Sequence, residues 1–150
     1  IVSWYLYHCI EYFLHYLSHR RYSGFMYKIH RNHHIMYYPV NKLMDKKPYK
    51  TGYYYGLSDG IIAHGPIMIS IFIISYNILN TYIFLNVSLR IILLILISDY
   101  IHTNIHINDS YLEKYDWFLK LRERHFYHHK NIKKNINIID NNLDIIFKTS

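Results

Sequence analysis

Residues 61–79 read IIAHGPIMISIFIISYNIL and residues 82–97 read YIFLNVSLRIILLILI, the two most apolar stretches of the chain. A helix needs about 20 predominantly apolar residues to cross a bilayer. The first stretch approaches that length, and so does the second if Arg90 and Asp99 turn toward protein or interface. The soluble alternatives are a buried helical hairpin with its turn at 77–81, or β-branched strands, since isoleucine suits either. The length of the two runs favours membrane helices.

Working outward, residues 1–19, IVSWYLYHCIEYFLHYLSH, carry Glu11 as their one carboxylate and form an amphipathic or membrane-embedded helix of about five turns. RRYSG at 20–24 ends it, and Gly24 is a natural break before the next element. Between Tyr37 and Gly60 the prolines, glycines and lysines indicate a loop with room for one short helix. The polar tail from Asn131 ends in LDIIF, which suits a short helix packed back on the rest. The fold expected is all-α, an integral membrane helical bundle, with the 150 residues as one domain. Ile1, without methionine or a charged leader, suggests a fragment or a processed chain.

Composition narrows the chemistry. Cys9 is the one cysteine, so an internal disulfide and a thiolate zinc ribbon are both excluded, and any metal site must use nitrogen and oxygen ligands. The net charge of +7 suits phosphate or a positive membrane-facing loop, but no nucleic-acid docking motif accompanies it. Histidine, at 12 residues, is abundant. Ten of the 12 fall into four groups: His15 and His19; His30, His33 and His34; His102 and His106; His125, His128 and His129.

On a helix, residues three and four apart share a face, so each group can aim its imidazoles at one locus. A single pair is readily explained by packing or by an interface. Two triplets and two pairs in one short chain explain one another if they surround metal. Ten imidazoles exceed the three or four ligands of a mononuclear site, and two adjacent ions use the supply better. Asp99, three before His102, and Glu11, four before His15, are placed to accept imidazole hydrogen bonds and orient those ligands. His8 and His64 read as structural or interfacial.

EYFLHYLSH at 11–19, HRNHH at 30–34, DYIHTNIH at 99–106, HFYHH at 125–129 and LDIIFKT at 143–149 resemble the histidine boxes and closing segment of the fatty acid hydroxylase/sterol desaturase superfamily. The likeness runs over roughly residues 4–149 and is closest to the fatty acid 2-hydroxylase branch, where an aspartate precedes the third pair and Asp-x-x-Phe follows the last box. The three residues between His15 and His19 match the sterol branch instead.

This resemblance implies a membrane bundle with a cytosol-facing, histidine-rich cap holding two metal ions, with iron expected and zinc as the alternative. It implies the ten histidines as ligands, with no catalytic residue beyond them. It also implies hydroxylation of a lipid or fatty acyl chain with dioxygen and two electrons, relayed by cytochrome b5 or a reductase, in the endoplasmic reticulum. The other readings are a lipid or sterol desaturase on the same site, and a non-enzymatic histidine-rich membrane protein that binds metal.

Overall fold

The structure, a computed structural model, describes residues 1–47 and 58–150. Among the described residues it is all-helical: α1 (Val2–Ser18), α2 (Phe25–Asn32), α3 (Asp59–Ile78), α4 (Thr81–Ile105), α5 (Asp116–Lys130) and α6 (Asn142–Ile146). Short 3₁₀ turns precede α2 and α5, and one π-turn, His33–Tyr37, extends α2. The part of the expected 37–60 loop that falls at 48–57 lies outside the described residues.

Local chemistry accounts for the boundaries. Gly24 has φ of 59°, the left-handed region glycine enters without steric cost, and it turns the chain into α2. Ser58 caps α3 by accepting from the Ile61 amide at 3.2 Å. Asn80 caps α4 by accepting from the Tyr82 amide at 2.9 Å, so Leu79 and Asn80 form the tight link of a helical hairpin.

The 20 residues of α3 and 25 of α4 span roughly 30 and 37 Å at 1.5 Å per residue, enough to cross a bilayer. Ile69, Ile73, Ile74 and Ile78 on α3 and Leu85, Leu89, Leu93 and Leu96 on α4 are all exposed. A soluble core hairpin would bury such a face, and the strand alternative is absent here. Lipid is the solvent that suits it. Arg90 is exposed on α4 rather than turned to the protein, whereas Asp99 is half-buried.

Two apolar clusters hold the bundle. Tyr7, Leu14, Met26, Met68 and Ile91 join α1, α2, α3 and α4. Ile101, Ile105, Phe118 and Leu121 join the end of α4 to α5. The tail packs back as expected, with Phe147 stacked on Tyr12 at a centroid distance of 5.1 Å.

A polar network crosses the α1–α4 contact. The buried carboxylate of Glu11 accepts from Ser98 Oγ at 2.6 Å and Tyr7 Oη at 3.1 Å, and lies 3.1 Å from His8 Nδ1. Deleting it strands two buried hydroxyls, each worth about 1–3 kcal/mol when left unsatisfied. Glu11→Ala is expected to lower stability by about 2–4 kcal/mol, checked by chemical unfolding in detergent micelles. A midpoint equal to that of the parent would show that the network contributes nothing.

Candidate metal centre

The centre lies at the end of the hairpin where α3 begins and α4 finishes. α1 delivers His15 and His19, α2 and its π-turn His30, His33 and His34, the end of α4 His102 and His106, and α5 His125, His128 and His129. All ten candidate imidazoles converge there, in two adjoining groups.

In the first group His15, His19, His30, His34 and His128 each bring a ring nitrogen within 4.8 Å of the others. In the second, His33, His106, His125 and His129 meet within the same limit. His102 joins its edge, with Nε2 3.1 Å from His125 Nε2.

The partition departs from the expectation that each sequence cluster aims at one locus. Every pair four apart stays together: His15 with His19 and His30 with His34 in one group, His102 with His106 and His125 with His129 in the other. The residue three along from each triplet's first histidine crosses over, His33 into the second group and His128 into the first. Successive residues on a helix are rotated by about 100°, so His33 and His34, or His128 and His129, cannot point at one ion. The π-turn at His33, closed by the Tyr38 amide on the His33 carbonyl at 2.9 Å, widens the helix where the divergence is needed.

Hydrogen bonding on the far side of the rings sets their tautomers. His106 Nδ1 donates to the Leu43 carbonyl at 2.7 Å, His128 Nδ1 to the Lys134 carbonyl at 2.7 Å, and His129 Nδ1 to the Tyr38 carbonyl at 2.9 Å. A carbonyl only accepts, so in each neutral ring the proton sits on Nδ1 and the Nε2 lone pair faces the group. These Nε2 atoms meet other ring nitrogens: His128 lies 3.0 Å from His19, and His106 and His129 lie 3.0 and 3.1 Å from His125.

His125 Nε2 thus faces three nitrogens and has at most one proton to offer. His33 Nε2 is buried without a hydrogen-bond partner. Lone pairs crowded together this way are poorly served by hydrogen bonds, and the donor set fits cations that favour imidazole.

Electrostatics agree. Burial, then His128, His129 and Arg20, holds His19 down at about 3. Burial lowers His128 to about 4 and, with His128 and His102 beside it, His129 to about 3. Burial and neighbouring histidines push His15, His30, His33, His34, His106 and His125 well below the usual value. The rings are therefore neutral near pH 7, the form that binds metal.

Sequence spacing offered carboxylates as orienting groups, and the hydrogen bonds observed are different. Asp99 accepts from Ser58, and Glu11 bonds to Tyr7, Ser98 and His8. The orienting carbonyls of Tyr38, Leu43 and Lys134 carry no signal in the residue type. His64 stays outside both groups, with Nε2 3.0 Å from Ser18 Oγ.

No curated protein and no solved structure matches the chain. The profile of the fatty acid hydroxylase family matches residues 1–149, nearly the whole chain. Two membrane-capable helices and histidine groups compatible with metal accord with that match. With the match running end to end, this chain belongs to the fatty acid hydroxylase family.

Proposed function

We propose that the protein is a membrane-bound diiron oxygenase that hydroxylates a lipid acyl chain, within the 2-hydroxylase branch of its family. The observation that carries this reading is the division of ten candidate imidazoles into two adjoining groups of five beside two membrane-capable helices. An iron pair bound there would supply activation of dioxygen by two electrons, balanced as RH plus O₂, two electrons and two protons giving ROH and water. The residues proposed to hold it are His15, His19, His30, His34 and His128 on one side, and His33, His102, His106, His125 and His129 on the other.

The protein's own part is positioning and exclusion of water. A cleft lined by His33, Tyr38, Ser58, Asp59, Thr103 and His106 opens beside the second group. It lies between the start of α3 and the end of α4, and at about 30 Å³ it has room for roughly one water. Cytochrome b5 or a reductase as electron donor, and the endoplasmic reticulum as the membrane, belong to the same proposal.

The test is metal analysis with product analysis under ¹⁸O₂. The expected result is close to two irons per chain and one ¹⁸O atom in the product hydroxyl. A new double bond without added oxygen would make the protein a desaturase instead. Exchangeable metal without coupled oxygen consumption would make it a metal-binding protein.

A further inference from the structure

The closing segment LDIIFKT contributes no histidine, yet its carboxylate is the most enclosed one in the chain, with Asp144 at 0% exposure. Asp144 Oδ1 accepts from the Ile136 amide at 2.7 Å and Thr149 Oγ1 at 2.8 Å; Oδ2 accepts from the Asn137 amide at 3.1 Å and lies 3.5 Å from Arg124 Nη2. Two successive backbone amides on one carboxylate fix the course of the strap that follows α5. The strap is held at its other end too, where the Asn135 amide donates to the Thr149 carbonyl at 2.6 Å and Asn135 Nδ2 to the Arg124 carbonyl at 3.2 Å. Asn135 itself has φ of 49°, a conformation such contacts must maintain.

Immediately before this pinned stretch stands Lys134, whose carbonyl accepts the Nδ1 proton of His128 at 2.7 Å. We propose that Asp144 is a positioning residue for the first histidine group. It holds the 134–137 strap so that the Lys134 carbonyl selects the Nδ1–H tautomer of His128 and aims Nε2 at the other four rings.

The same segment also reaches α1, the source of His15 and His19. Tyr12 Oη lies 3.1 Å from Thr149 Oγ1, and Phe147 stacks on Tyr12. One buried carboxylate thereby sets His128 on α5 and braces α1 opposite it, across the 3.0 Å separation of His19 and His128 Nε2. Sequence spacing gives no hint of this, because the link runs through a backbone carbonyl. Partners of this kind are typically worth 10–100-fold in metal affinity.

The proposal rests on the metal-binding reading for its consequence, but not for its first observable. In chelator-treated full-length protein in detergent, ¹⁵N spectra of the histidine rings should show His128 protonated at Nδ1. In Asp144→Asn, where an amide group replaces one acceptor oxygen, that signal should move toward a mixture of tautomers while His106 and His129 keep theirs. In the metal-loaded protein, chelator titration should show one ion released about 10–100-fold more readily, the same ion that His128→Ala loses, with the other unchanged.

Thr149→Val, which keeps the volume, removes the hydroxyl's hydrogen bonds to Asp144 and Tyr12; it should produce smaller changes in the same directions and decides the matter if Asp144→Asn does not fold. An unchanged His128 tautomer, or equal weakening of both ions, would overturn the proposal. A parent protein that binds no metal but shows the tautomer shift would overturn the metal reading alone.

Discussion

His33→Ala and His128→Ala are each expected to abolish oxygen-dependent lipid oxidation while removing different ions. His33 belongs with His102, His106, His125 and His129, and His128 with His15, His19, His30 and His34, although each stands in a sequence cluster whose other members face the opposite group. Groups that merely orient a ligand are typically worth 10–100-fold in metal affinity, and a direct ligand is worth more. The decisive measurement is metal stoichiometry with X-ray absorption on both single variants and the double. Each single variant should retain close to one ion, and the double close to none. If both variants lose the same ion, the crossed arrangement is wrong; full turnover by either variant would remove its histidine from the centre.

The second large effect is acid sensitivity of the metal-free protein. His128 has its folded pKa lowered to about 4, and His19 and His129 to about 3, chiefly by burial. An unfolded chain titrates these rings near 6.5. Between those limits the unfolded state binds more protons than the folded one, so stability is complete above about pH 6.5 and falls as the pH drops toward 4. His128 alone accounts for about 3 kcal/mol across that window, and the other buried rings act in the same direction. Thermal unfolding of chelator-treated protein in detergent should show the midpoint falling steeply from pH 7 to 5. Bound metal should shift the loss to lower pH, since protons then compete with the ion. A midpoint that stays level from pH 7 to 5 would mean the rings are solvated rather than enclosed.

Much of the architecture could be read from residue patterns. The expected helix over 1–19 appears as Val2–Ser18, and the two apolar runs appear as a hairpin of Asp59–Ile78 and Thr81–Ile105. The fourth box lies on α5, and LDIIF packs on α1 through Phe147. These features depend on local periodicity, on the length of apolar runs and on capping residues such as Ser58 and Asn80, all of which act within a few residues of where they are written. The second apolar helix runs past its apolar core to Ile105, carrying His102 within its last turn and His106 as its C-cap.

What stayed hidden depended on contacts between distant segments. Spacing offered Asp99 and Glu11 as partners for His102 and His15, but Asp99 accepts from Ser58, 41 residues away, and Glu11 contacts His8 and accepts from Ser98, 87 residues away. The groups that do orient rings are main-chain carbonyls at Tyr38, Leu43 and Lys134, and every residue type has one. A buried carboxylate behind one of those carbonyls, Asp144, is equally silent in a histidine pattern.

The sequence by itself determined that this chain is helical, that two of its helices suit a bilayer, and that ten imidazoles are available in positions three and four apart. It could do so because hydrophobic run length and helical rotation are local properties of the chain. Which histidine joins which group was decided only by the tertiary structure. The 100° rotation between neighbouring helix positions separates His33 from His34 and His128 from His129, but where each direction leads depends on the packing of α1, α2, α4 and α5.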